Sequence, residues 1–99
     1  MYKLFALYRK PDDADAFLKH YEDVHMPLVR TIPGLKDAVV NRITASPTGG
    51  EPEYFMIAEM RFPDKETFDK AMTSPENRAA GKDLMTFAKG KVTLLVAES

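Results

Sequence analysis

Tyr54-Phe55-Met56-Ile57-Ala58-Glu59-Met60-Arg61-Phe62 reads as a β-strand that is apolar at both parities. Met56, Ala58 and Met60 fall on one side, Phe55 and Ile57 on the other. A strand apolar on both faces is normally covered on both faces. The same property recurs at residues 2–9, where Tyr2, Leu4, Ala6 and Tyr8 oppose Phe5 and Leu7. It recurs again at residues 91–97, with Val92, Leu94 and Val96 against Leu95 and Ala97.

Working outward, Pro11 stops the first strand, and Asp12 or Asp13 is placed to cap a helix. Asp12, Asp13 and Asp15 set negative charge at the positive end of its dipole. Phe17, Tyr21, Val24, His25 and Leu28 follow three- and four-residue spacing, which predicts one shared face. Pro27 has no N–H for the carbonyl of Asp23 and predicts a kink. Pro33-Gly34 closes the segment. Residues 35–44, with Val39, Val40 and Ile43, read as a second strand in a long hairpin with 54–62, whose register no tight Asn-Gly turn fixes. After Pro63, Asp64 caps a short helix carrying Phe68, Ala71 and Met72. Ser74-Pro75 starts another, with Pro75 suited to its first position, and Ala79, Ala80, Leu84 and Phe87 continue it, loosened by Gly81.

The order is βαββαβ. Two βαβ-like halves of this kind give an α+β, ferredoxin-like subunit: a four-stranded antiparallel sheet with its helices on one face. The opposite face, also apolar, is left bare. An exposed apolar sheet is an association site, and a two-fold partner covers it with a single self-complementary patch. The expectation is one domain over residues 1–99, acting as a homodimer.

Composition narrows the function. Ninety-nine residues suit one domain. There is no cysteine, hence no disulfide and no thiolate nucleophile or ligand. The 14 basic and 15 acidic side chains leave a net charge of −1, against a nucleic-acid partner. No targeting signal, membrane span or repeat is evident, and a cytoplasmic home is expected.

The residues also resemble a known family. Tyr8-Arg9-Lys10-Pro11, then Phe17-Leu18-Lys19-His20-Tyr21-Glu22-Asp23-Val24-His25-Met26-Pro27-Leu28, then Ile32-Pro33-Gly34-Leu35, resemble the EthD-like family of dimeric α/β-barrel proteins. Ser74 to Leu84, with Phe87, is similar to the same family. The Tyr-x-x-x-His-x-Pro-Leu segment is the most specific part. The resemblance implies a ferredoxin-like subunit whose sheet meets its twin's to close a barrel, with a pocket between sheet and helices. The family takes its name from a protein required in bacterial degradation of ethyl tert-butyl ether, and its members often carry a reductase label. Similar folds include cofactor-free monooxygenases, muconolactone isomerases, polyketide cyclases and haem-degrading enzymes, so fold does not select the reaction.

His25 is the first candidate for chemistry, on the apolar face one turn from Tyr21. An imidazole titrates near neutrality and serves as general acid or base. Its structural alternative is a part-buried ring bonded to a backbone carbonyl. Asp83 is second, as a desolvated carboxylate or a group orienting a histidine, and the resemblance places an aspartate in this segment. Its alternative is a surface acid paired with Lys82 or Lys89. Tyr21 is third, as a hydrogen-bond donor, ahead of Tyr8 and Tyr54. Met56, Met60, Met72 and Met85 suit a pliable apolar pocket or an ordinary core. Glu59 and Arg61 read as an ion pair or an interface bridge.

Other chemistries are set aside. On a regular α-helix His20 and His25, five apart, point about 140° away from each other and cannot share a metal. No phosphate loop, Rossmann fingerprint or nucleophile elbow is present, and no cofactor or metal is expected. Two functions remain from the sequence: a small-molecule pocket protein of catabolism, as a cofactor-free enzyme in which His25 moves a proton on an apolar or aromatic substrate, or a non-catalytic accessory binder. Haem binding through His25 is a third, weaker reading.

Overall fold

The computed structural model describes residues 1–99. In chain order the elements are β1 (Tyr2–Tyr8), α1 (Ala14–His20), a π-helical turn (Tyr21–His25), α2 (Met26–Val29), β2 (Asp37–Arg42), β3 (Met56–Phe62), α3 (Lys65–Met72), α4 (Pro75–Phe87) and β4 (Val92–Glu98). The four strands form one sheet in the order β2-β3-β1-β4, antiparallel throughout. This is the expected ferredoxin-like α+β arrangement. No helix is long and apolar enough to cross a membrane.

The helix starts follow the sequence. Asp13 caps α1 by accepting from the Ala16 N–H at 3.1 Å, and Asp64 caps α3 by accepting from Thr67 at 2.8 Å. Ser74 accepts from the Asn77 N–H at 3.1 Å, with Pro75 at the first position of α4. Such caps satisfy donors that no helix can satisfy internally. α4 runs unbroken through Gly81. The hairpin strands are shorter than expected: β2 begins at Asp37 and β3 at Met56. Lys36 and Ile43 still make backbone bonds to Arg61 and Phe55, so pairing extends beyond the regular strands.

One sheet face carries the core. Ala6, Tyr8, Met56, Ala58, Met60 and Phe62 pack there beneath Phe17, Tyr21, Met26, Phe68 and Leu84. Tyr8, Phe17, Tyr21 and Phe87 form an aromatic cluster with ring centroids 5.3–6.4 Å apart, joining the sheet to α1 and α4. Val24 leaves the expected apolar face and is exposed, because the chain does not keep α-helical phase between Tyr21 and His25.

The other sheet face has no helix. Phe5 stands opposite Glu59 on β3 and Leu95 on β4, and Leu7 opposite Ile57 and Thr93. Leu95 is 52% exposed. Glu59 and Arg61 do form an ion pair here, extended by Lys3 on Glu59 and Asp37 on Arg61, each at 3.5 Å. The Arg61 guanidinium, chiefly by hydrogen bonding, holds the Glu59 carboxyl below the usual carboxylate range.

Candidate functional site

The site begins with a widened helical turn. Met26 donates its N–H to the Tyr21 carbonyl, an i→i+5 bond, and the chain then re-enters α-helix with Pro27 near the start of α2. Pro27 has no N–H to offer the preceding turn. The sequence predicts a kink from that deficit; instead the turn upstream takes in an extra residue, a π bulge of the kind common at functional sites. The wider turn also overturns the expectation for His20 and His25. Five residues across a π turn close little more than one revolution, so the two rings face the same neighbour rather than diverging.

That neighbour is Asp83, near the middle of α4. His25 Nδ1 lies 3.0 Å from Asp83 Oδ2, and His20 Nε2 lies 2.8 Å from Oδ1 and 3.1 Å from Oδ2. A carboxylate only accepts, so both imidazoles donate N–H to it. Neither Lys82 nor Lys89 pairs with Asp83. Phe87, one turn further along α4, packs on both rings, with centroids 4.7 Å from His20 and 4.9 Å from His25.

Beside this cluster is a cavity of about 160 Å³ between sheet and helices. Its lining combines small residues, Ala6 on β1 and Ala80 and Gly81 on α4, with the larger Tyr8 and Phe62 on the sheet. Leu4, Met60, Met72 and Leu84 make much of the remaining wall apolar. Leu94 lines it from the β4 edge while staying 48% exposed, so the cavity opens on that side. His25 and Tyr21 supply polar groups.

His25 is 5% exposed. Its Nδ1 is taken by Asp83; its Nε2 has no partner in the protein, and no polar side-chain atom of the chain is both sealed and unpartnered. Nε2 therefore faces the cavity that the ring lines. Burial pulls the His25 pKa below its ordinary value; the hydrogen bond and charge of Asp83 act against that, and His20 adds to it. The ring is neutral at neutral pH, with its lone pair on Nε2. Burial pushes the Tyr21 phenol up to about 12, and pushes Tyr8 higher still. Both remain O–H groups under ordinary conditions.

Of the residues singled out in the sequence, His25, Asp83 and Tyr21 come together, the Tyr21 and His25 rings 5.5 Å apart. Tyr8 joins the wall. Tyr54 does not: its ring lies under the Arg9 guanidinium at 5.7 Å, elsewhere on the molecule. Met60 and Met72 line the cavity, Met56 is wholly core, and Met85 is exposed. His20 is the residue that sequence reasoning missed. Its one signal is Pro27, whose missing donor accompanies the bulge. No three His, Asp or Glu side chains converge as a metal-ligand set.

Sheet order, helices on one face and a cavity between the layers define a ferredoxin-like α+β protein. The EthD domain matches residues 9–91, and the chain belongs to the EthD family. It is similar to an uncharacterized 11.0 kDa protein from the thcB-thcC intergenic region of Rhodococcus erythropolis, 35% identical over 98 residues that cover 99% of this chain and 94% of that one. Among solved structures it is similar to an ethyl tert-butyl ether D (EthD) family protein from Bacillus halodurans, with 45% identity, a TM-score of 0.95, and coverage of 100% of this chain and 98% of that one. A dimeric ferredoxin-like protein of unknown function from Thermobifida fusca shares the fold at 16% identity and a TM-score of 0.72, over 99% of this chain and 90% of that one.

Proposed function

We propose that this chain binds a small, largely apolar molecule between its sheet and helices, and that His25 Nε2 takes a proton from it. The observation that carries this reading is the 3.0 Å contact between Asp83 Oδ2 and His25 Nδ1 at the wall of the cavity. Held by Asp83, the ring offers its lone pair inward, and the imidazolium formed on proton uptake is stabilised by the same carboxylate. Tyr21, still carrying its proton and itself receiving a hydrogen bond from Tyr8, donates a hydrogen bond to the substrate oxygen on which charge develops. The proton returns from Nε2 to another atom of the bound molecule, so the step is an isomerisation or cyclisation with no net electron transfer. A positioned base of this kind contributes roughly a hundred- to ten-thousand-fold.

The size of the space supports a small substrate. A cavity of about 160 Å³ is close to the roughly 150 Å³ that holds benzene in an engineered apolar cavity. A single ring bearing one enolisable or hydroxyl group fits that description. The functional unit is a homodimer of one-domain subunits, each pressing the helix-free face with Phe5, Leu7, Ile57 and Leu95 against its twin. The Thermobifida relative, described as dimeric, supports that reading, as does the exposure of Leu95.

The test pairs binding with turnover. Native mass spectrometry against a panel of single-ring phenols and enolisable ketones identifies a bound compound, and product analysis then follows its fate. Conversion by the unaltered protein, lost in His25→Ala with binding retained, is the expected result. Binding with no conversion of any bound compound would make the chain an accessory carrier. Full turnover by His25→Ala would end the proton-transfer reading.

A further inference from the structure

We propose that His20 is a positioning residue whose charge sets the basicity of His25 through the carboxylate they share. This rests on His25 serving as the base, and it assigns a second histidine to the site.

The geometry gives His20 more than a surface contact. Its Nε2 spans both oxygens of Asp83, at 2.8 and 3.1 Å, and so fixes the plane of the carboxylate while Oδ2 also receives His25. Phe87 packs against both imidazoles and holds them in register. Side-chain exposure rises along the chain of contacts, from 6% at His25 through 14% at Asp83 to 33% at His20. One end meets the cavity and the other meets water. The i→i+5 turn is what makes the arrangement possible, since α-helical phase would aim the two rings apart.

The electrostatic consequence is direct. Imidazole is the side chain whose charge ordinarily changes between about pH 5 and 8. With His20 neutral, the negative charge of Asp83 is available to stabilise a proton on His25. With His20 protonated, a positive charge sits on the same carboxylate, and a second proton, on His25, is opposed. Strongly interacting groups titrate as a set rather than one by one. The other ionisable groups facing the cluster are Tyr21 on the π turn and Tyr8 on β1, both held as neutral phenols by burial. Arg30, beyond α2, acts on Tyr21. On the solvent side of His20 the surface carries Asp12, Asp13, Lys89 and Lys91. None of these lies between His20 and Asp83. His20 is the more accessible of the two rings and does not itself line the cavity.

The test needs no substrate. The chain has two histidines, so proton NMR of the imidazole carbons follows both rings without ambiguity. His20→Gln keeps a donor for Asp83 but carries no charge, and His20→Lys carries a permanent one. The titration midpoint of His25 is expected to move up in His20→Gln and to stay at or below the unaltered value in His20→Lys, since a charge on His20 already acts against a proton on His25. A purely structural role would not split the two variants in this way. Circular dichroism checks that both variants fold, and Lys19→Gln, on an exposed neighbour paired with Asp23, serves as a charge control at which the midpoint stays put. If neither His20 variant displaces the midpoint, or both displace it the same way, the proposal fails. The parent reading falls separately, on turnover by His25→Ala.

Discussion

Asp83 Oδ2 and His25 Nδ1 stand 3.0 Å apart across 58 residues of chain, and this one hydrogen bond chooses which nitrogen of the imidazole faces the cavity. Without it either nitrogen of a neutral ring can carry the proton, and the lone pair has no fixed direction.

Replacing Asp83 with alanine should therefore change the tautomer as well as the stability. Nitrogen-15 shifts of His25 are expected to report an Nδ1–H ring in the unaltered protein and a mixture in Asp83→Ala. Leaving the buried Nδ1 without an acceptor costs about 1–3 kcal/mol, to be read from the urea midpoint. An unchanged tautomer in Asp83→Ala would remove Asp83 from its orienting role.

Stability should fall on both sides of neutrality, for opposite reasons. The folded pKa of His25 lies below the ordinary 6.5, so under that pH the unfolded chain takes up a proton that the folded chain resists. The unfolded state binds more protons, and stability drops as pH falls from about 6.5. Above that value the contribution is fully present. Tyr21 behaves in the reverse sense: raised from 10.0 to about 12, it retains its proton when the unfolded chain loses it, and stability drops as pH rises from 10 toward 12. Urea unfolding at pH 7.5, 6.5 and 5.5 is expected to show the acid slope, and His25→Gln should flatten it.

Two glycines should respond in opposite directions to alanine. Gly81 lies in α4 with ordinary helical φ, and a methyl group there meets nothing within 4 Å. Gly81→Ala is expected to stabilise by about 0.4–1 kcal/mol, seen as a rise of about 2–6 °C in Tm. Gly34 has φ of +80°, and a Cβ there would collide with the Thr67 methyl. Gly34→Ala is expected to cost about 1–3 kcal/mol from backbone strain, with the collision adding to it. Because Gly81 also lines the cavity, the stabilised variant should bind single-ring ligands more weakly.

Leu95→Lys tests the helix-free face. The side chain sits opposite Phe5 and is half exposed in the single chain, so the fold should survive the change. Sedimentation is expected to show a dimer for the unaltered protein and a folded monomer for Leu95→Lys. A variant that stays dimeric would move the interface elsewhere.

The fold was legible because its signals are local or two-residue periodic. Strand parity at Tyr2–Tyr8 and Met56–Phe62, the aspartate caps at Asp13 and Asp64, and the Ser74-Pro75 start all act within a few residues of where they are read. The site was legible in part. His25 and Tyr21 share a turn and lie on the expected face, and Asp83 reads from the sequence as either an orienting carboxylate or a surface acid. His20 was not legible, because ordinary helical arithmetic sends it away from His25 and nothing in Tyr21–His25 announces an i→i+5 bond. Pro27 signals that a donor is missing, but not whether the backbone bends or widens in response; the turn that widens packs against α4, which lies far along the chain.

Leu94 belongs to two surfaces at once, the wall of the cavity and the open rim of β4. A molecule occupying the interior and a body resting on that rim would both touch it, which gives the two bindings a physical route to couple. Reciprocity then requires that each alter the other's affinity by one and the same factor. Dissociation constants measured for small molecules would drift with protein concentration wherever self-association reaches β4, and that drift would itself measure the coupling.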